Sequence, residues 1–207
     1  MEPIKYNIKV RQGTTFSESF RWESSRKTYA KITNIDKTAP VVITTETAHG
    51  MPPGWRFRVS GVQGMKEINS AGDTWYTSDA LQSTLTTSVI NDVNAIGYST
   101  YTANTGVVEF FAPAVSGAYE ALMQIRTKVD ADVVLLELST ANGMIVVDPV
   151  TSTIKLNIPD SVTRELEFTS AVYSLELKEV ATGRVLPFLT GSVSLIKDAT
   201  AWPIVQP

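Results

Sequence analysis

The sequence predicts an all-β protein, and three observations carry that prediction. Thr and Val are abundant, long stretches alternate apolar with polar residues, and runs of helix formers at helical spacing are scarce. Hydrophobic residues make up 43% of the 207 and charged residues 19%. That is enough apolar material for a packed core and too little charge for a disordered chain. The length suits one or two domains.

From the start of the chain, Ile4, Tyr6, Ile8 and Val10 alternate with Lys5, Asn7, Lys9 and Arg11, the period of a half-buried strand. Gln12-Gly13 marks a turn, and a second strand is expected from Thr15 to Glu23 with Phe16, Glu18, Phe20 and Trp22 on one parity. The polar run Ser24-Ser25-Arg26-Lys27 then breaks the pattern.

A different texture begins near Tyr29. Ile32 and Ile35 lead to the β-branched run Pro40–Thr45, and His49-Gly50-Met51-Pro52-Pro53-Gly54 is a dense turn signal. Trp55, Phe57 and Val59 alternate with Arg56, Arg58 and Ser60, and Gly61 and Gly64 bracket a turn. Polar residues run from Asn69 to Thr74 before Trp75 and Tyr76; Ser83–Ile90 is Thr- and Val-rich, and Tyr98–Gly106 closes the segment. Short strands separated by Gly and Pro turns predict a small barrel or compact sandwich.

The first texture returns near Val107. Tyr119, Ala121, Met123 and Ile125 alternate with polar residues, although Leu122 interrupts the polar face. Val134, Leu136 and Leu138 form the next strand, then Asn142-Gly143 turns the chain. Further strands are expected at Ile145/Val147, Ile154–Ile158 and Tyr173–Leu177, and Val185/Leu189 share a parity before a last strand at Val193/Leu195. Spacings of roughly ten residues are those of an immunoglobulin-like β-sandwich. Pro159–Glu167 alone reads as a helix of one to two turns, with Asp160 able to accept from free N–H groups of the first turn and Val162 and Leu166 on one face. Asp198–Pro207 reads as an irregular tail in which Trp202 either anchors to a neighbour or crosses its own domain.

Residues 1–28 offer only two strands, and a lone hairpin is not stable. Joined to 108–198 they complete a sandwich, so the sequence predicts a discontinuous domain, 1–28 plus 108–198, interrupted by a small β-barrel at 29–107 and followed by the tail at 199–207.

Two resemblances bear on this division. The first is carried by the opening Ile-Lys-Val-Arg-Gln-Gly-Thr-Thr-Phe, by Tyr119–Arg126 and by Val133–Leu138 with Asn142-Gly143. Thr153-Ile-Lys-Leu, the short helix, Val172–Leu177 and Gly183–Ser194 continue it. On these features residues 2–24 plus 118–198 resemble the amino-terminal domain of the phage baseplate upper protein family. The second is carried by Ile32-Thr-Asn-Ile, Pro40–Thr45, His49-Gly50, Val59–Met65 and Glu67-Ile-Asn69. There the segment 29–107 is similar to the small β-barrel known as the first catalytic cysteine half-domain of ubiquitin-activating enzymes, a module also found in phage structural proteins. That likeness does not imply the enzymes' chemistry. The chain has no cysteine to form a thioester and no nucleotide-binding glycine fingerprint.

No residue set argues for catalysis, a cofactor or a metal, and none of the three is expected. The absence of cysteine excludes disulfides and thiolate sites and fits folding in a reducing cytoplasm. His49, the only histidine, is expected to bond a nearby backbone group in its turn. Asp130, Asp132 and Asp148 lack the Asp-x-Asp-x-Asp-Gly calcium loop and read as solvated. Glu137 and Glu176 sit opposite the apolar parity of their strands, and Glu18 shares parity with Phe16 and Phe20, which a strand edge would explain. A glycoside-hydrolysing carboxylate pair is therefore disfavoured. Gly61-x-x-Gly64 lacks the Lys-Ser/Thr ending of a phosphate cradle and reads as a tight turn. Arg21, Arg26, Lys27 and Lys31 form a loose basic group, either solvated or facing an acidic neighbour. Trp22, Trp55 and Trp75 are expected in cores, with an exposed Trp55 anchor as the alternative.

The net charge of −3 gives no field for nucleic acid or anionic membrane, the N-terminus shows no secretory signal, and apolar runs fall short of the ~20 residues of a membrane span. The resemblances imply a non-enzymatic structural protein of a bacteriophage virion, in the tail, baseplate or neck, made in the host cytoplasm. Its expected partners are other phage structural proteins and copies of itself in a symmetric ring, with host-surface contact open. The alternatives are a receptor- or carbohydrate-binding module, with Trp55, Trp75, Tyr98 and Tyr101 as a sugar platform, or a capsid decoration protein. A polysaccharide depolymerase is disfavoured for want of a convergent acid, base or nucleophile.

Overall fold

A computed structural model describes residues 2–79, 88–115 and 117–197. The tail with Trp202, and most of the Thr- and Val-rich run from Ser83, lie outside the described residues. The fold is all-β. In chain order the strands are β1 (Ile4–Lys5), β2 (Ile8–Arg11), β3 (Phe16–Arg21), β4 (Glu23–Asp36), β5 (Val41–Thr45), β6 (Arg56–Ser60), β7 (Tyr76–Thr77) and β8 (Ser88–Asn91). They continue as β9 (Val107–Pro113), β10 (Tyr119–Arg126), β11 (Val134–Ser139), β12 (Ile145–Asp148), β13 (Thr153–Ile158), β14 (Ser170–Glu179) and β15 (Val185–Ile196). One helix, α1 (Asp160–Arg164), and one 3-10 turn at Lys66–Ile68 interrupt them.

The chain divides into two compact units. The first comprises residues 1–21, 115–149 and 153–207; the second comprises 22–114 and the short segment Val150–Ser152. The polar run Ser24–Lys27 lies within β4, which runs from Glu23 to Asp36, and the pairing with β9 shifts register there, between Glu23 and Lys27. Its first half is polar on both faces, so no period-two apolar signal marks it as strand.

In the first unit, one sheet has the order β1-β15-β14-β10-β11, with β2 also on β15, and the other has the order β12-β13-β3. The leading residues serve both. β1 and β2 pair in parallel with β15, setting Ile4 beside Leu189 and Ile8 beside Val193. β3 pairs antiparallel with β13, setting Glu18 opposite Leu156. Alternation buries Ala121, Met123 and Ile125 on β10 and Ala171, Tyr173, Leu175 and Leu177 on β14. The strands expected separately at Val185/Leu189 and Val193/Leu195 form one strand, which crosses a bulge opposite Leu175/Glu176.

Two devices fasten the leading segment. The Tyr173 hydroxyl donates to Tyr6 O at 2.7 Å, and Tyr6 N–H donates to Thr190 O at 2.8 Å. The chain passes so close here that a Cβ on Gly191 would lie 2.0 Å from Tyr6 O, so only glycine fits. The Gln12 side chain donates to Arg164 O and Leu166 O at the end of α1, and the fully buried Thr163 hydroxyl donates to Thr14 O at 2.8 Å. The expected Asp160 cap is not formed. Pro159 occupies the N-cap position, and the Asp160 carboxylate faces Arg164 at 3.4 Å.

In the second unit a six-stranded sheet has the order β7-β6-β9-β4-β5-β8. Its core includes Ile32, Ile43, Met51, Trp55, Phe57, Val59, Met65, Ile68, Val108 and Phe110. The Gly61–Gly64 turn is a tight turn as expected, with φ of +73° and +74°. The Asn69 carboxamide locks it, accepting from Val62 N–H at 2.9 Å and donating to Val62 O at 3.0 Å.

Candidate interaction surfaces

The residues singled out from the sequence are mostly structural. His49 is buried, and its Nδ1 accepts from Met51 N–H at 2.9 Å, the backbone role expected of it. Trp22 and Trp55 are core residues. Trp55 is 1% exposed and its indole N–H donates to Phe111 O at 2.9 Å, so it does not anchor a partner. Tyr98 and Tyr101 pack against the same core, and the Tyr101 hydroxyl donates to Thr105 O at 2.8 Å. The four aromatics of the expected platform therefore do not share a surface. Asp130 and Asp132 are exposed in the turn after β10, and no group of three potential metal-ligating side chains stands together among the described residues.

Glu18 is half-buried on β3, an edge strand as expected. It faces Tyr6, whose phenol is pushed up by desolvation and then by the Glu18 charge and hydrogen bond. Burial likewise raises the Tyr173 phenol. Both shifts keep neutral donors in place and create no reactive group.

Trp75 is the exception among the tryptophans. It is half-buried and lies on the outer face of the second unit's sheet, where it stacks on Phe111 at 5.8 Å. The Arg56 guanidinium lies 4.7 Å from the Trp75 ring and 5.9 Å from Phe111, and Arg58 lies 5.7 Å from Trp75. Lys27 lies 5.7 Å from Phe111. The register explains the clustering. Tyr29 and Arg58 both sit directly opposite Glu109, one on each side of β9, so all three point to one face.

The charges on this face are paired internally. Arg56 makes two bonds to Glu23, at 2.7 and 2.5 Å, and these raise its guanidinium pKa further. Lys27 bonds Glu109 at 3.0 Å, Lys31 bonds Glu46 at 3.3 Å, and Arg58 donates to Gly72 O. Of the basic group expected near the domain boundary, Lys27 and Lys31 thus have carboxylate partners on their own unit, while Arg26 is exposed. Sequence parity did place Arg56 and Arg58 on the polar side of their strand; what it lacked was the stacking partner from Phe111.

The first unit offers a shallow groove of about 670 Å³ on the solvent face of β10, β14 and β15, lined by Lys5, Leu122, Gln124, Arg126, Glu176 and Thr190 among others. Leu122, which broke the polar parity, forms part of its floor and is 42% exposed. Arg126 is committed to Gln124 Oε1, Ala131 O and Asp132 O, so it is not aimed at a ligand. The neighbouring edge strand β11 is also partly closed. The Asn142 carboxamide accepts from Ser139 N–H at 2.9 Å and donates to Glu137 O at 3.0 Å, standing in for a partner strand's peptide, and a bulge distorts the ladder beside it.

No protein-family model matches the chain, and no curated protein matches it.

Proposed function

We propose that this chain is a structural component of a bacteriophage virion, in the tail, baseplate or neck, which works by contact with other particle proteins and performs no catalysis. The observation that carries this reading is the pairing of residues 4–21 with β13 and β15, which lie beyond the stretch 22–114 in sequence. Most of the two segments that resemble the baseplate upper protein domain, 2–24 and 118–198, falls in the first unit, which takes in 1–21, 115–149 and 153 onward. In such a particle, copies of the chain would form a symmetric ring in which many modest contacts add up. Cryo-electron microscopy and mass spectrometry of purified particles test the reading: the chain should appear in stoichiometric rings, and its absence from the particles would defeat it.

The outer face of the second unit favours a second reading, a receptor- or carbohydrate-binding module, which a capsid decoration protein could also carry. Stacked rings held by fixed cations suit recognition of a flat ligand. Trp75, not the buried Trp55, is the residue to test for it.

A further inference from the structure

We infer that the outer face of the second unit is a binding platform for a neutral oligosaccharide, with Tyr29 as the open stacking ring and Arg58, Glu109 and the Arg56–Glu23 pair as its fixed hydrogen-bonding groups. The inference rests on the carbohydrate-binding reading above and does not depend on membership of a virion.

Three features of the face select this ligand class. The first is an exposed ring on a rigid strand. Tyr29 is 58% exposed although it sits mid-strand on β4, paired with Glu109 of β9. A large aromatic left open to water on a sheet face offers an apolar plane to the C–H face of a pyranose.

The second is that the polar groups beside it are already held. Glu109 stands between Tyr29 and Arg58 and bonds Lys27; Glu23 holds Arg56 against Trp75. Each paired group keeps spare lone pairs or N–H bonds, and vicinal hydroxyls can donate to the carboxylates while accepting from the guanidinium groups. No ordering of long side chains is then needed on binding.

The third is charge. Lys27 and Arg56 on this face are each paired with a carboxylate, Glu109 and Glu23, and Arg58 is held by Gly72 O. A nucleic acid or an acidic glycan would have to break these pairs to reach the cations, whereas a neutral polyhydroxyl ligand adds to them intact. The pairs that fix Lys27 and Arg56 thus weigh against strongly anionic partners.

The experiment is a glycan array with the full chain, followed by calorimetric titration of each hit at low and high salt, using the native protein and the variants Tyr29→Ala, Tyr29→Phe and Trp75→Ala. Thermal unfolding of each variant establishes that it is folded. The expected result is saturable binding of neutral glycans with little salt dependence, weakened about tenfold or more in Tyr29→Ala and Trp75→Ala and retained in Tyr29→Phe. Binding that survives both alanine variants would overturn the assignment to this face and leave the carbohydrate reading standing. Binding confined to charged glycans and lost at high salt would overturn the neutral class. No glycan binding at all would overturn the inference and the carbohydrate reading together, leaving the virion proposal untouched.

Discussion

The two units differ in how the chain supplies their β-cores, one from a nearly continuous stretch and the other from separated pieces. The second is built almost wholly from one continuous stretch, 22–114, whose two ends meet where β4 pairs with β9, Glu23 opposite Pro113. The first is closed by its most distant residues, with Ile4 beside Leu189 and Ile8 beside Val193. Loop closure must precede such contacts, so the first unit's assembly depends on a few positions where the leading segment docks. The surfaces differ too. The second unit pairs two of its outer cations with its own carboxylates over stacked rings, whereas the first presents a shallow groove and one capped edge. The lesson is that both sheets close through residues far apart in sequence, within one stretch in the second unit and across an interruption in the first.

The sharpest test of that contrast is within the second unit. Trp55→Ala removes a fully buried ring and its hydrogen bond and is expected to cost ~3–5 kcal/mol in urea unfolding, whereas Trp75→Ala on the outer face should cost ~1 kcal/mol or less. Equal costs would mean that the outer stack is part of the core.

Gly191→Ala comes next. Its Cβ would strike Tyr6 O, a backbone atom, and a clash of this kind is expected to cost ~1–3 kcal/mol by pushing the leading strand off β15. Unchanged stability would show that the docking of Tyr6 is loose. Ser152→Ala follows. It leaves Trp22 O and Ala114 N–H in the second unit without the hydroxyl that bonds both, at an expected cost of ~1–2 kcal/mol in the same assay.

The smallest effect concerns acid. Glu67 accepts from Ser99 N–H and its hydroxyl at 3.0 and 2.7 Å, and backbone and side-chain hydrogen bonds hold its carboxyl below the usual 4.5. A carboxyl with a depressed folded-state pKa stabilises the fold above its unfolded value and loses that contribution as pH falls through the folded one. Stability should therefore decline slightly below about pH 4.5 in the native protein, and this component should vanish in Glu67→Gln, read by thermal unfolding across pH.

Much of this fold is legible in the sequence because alternation reports burial directly. The rows Ala121/Met123/Ile125 and Tyr173/Leu175/Leu177 are both found buried on the expected parity. Where alternation fails, so does the reading. The first half of β4 is polar on both faces and looks like a linker, and the bulge in β15 splits one strand into two apparent ones. Trp75 reads as core because composition does not distinguish a ring buried among aliphatics from one covered by guanidinium groups. Thr163 gave no signal and Asn142 only that of a turn, since their hydrogen bonds run to backbone groups that no pattern marks. The candidate site was visible only as separate residues: Arg56, Arg58 and Trp75 were noted, but their meeting with Tyr29 depends on strand register.

Native-state hydrogen exchange tests the central claim most directly, because a cooperative unit opens as a whole. If the leading segment belongs to the first unit, the amides of Ile8–Arg11 will lose protection in the same step as those of Ser170–Glu179 and Val185–Ile196. Exchange of Ile8–Arg11 at the rate of free chain, or in step with Val107–Pro113 of the second unit, would contradict it.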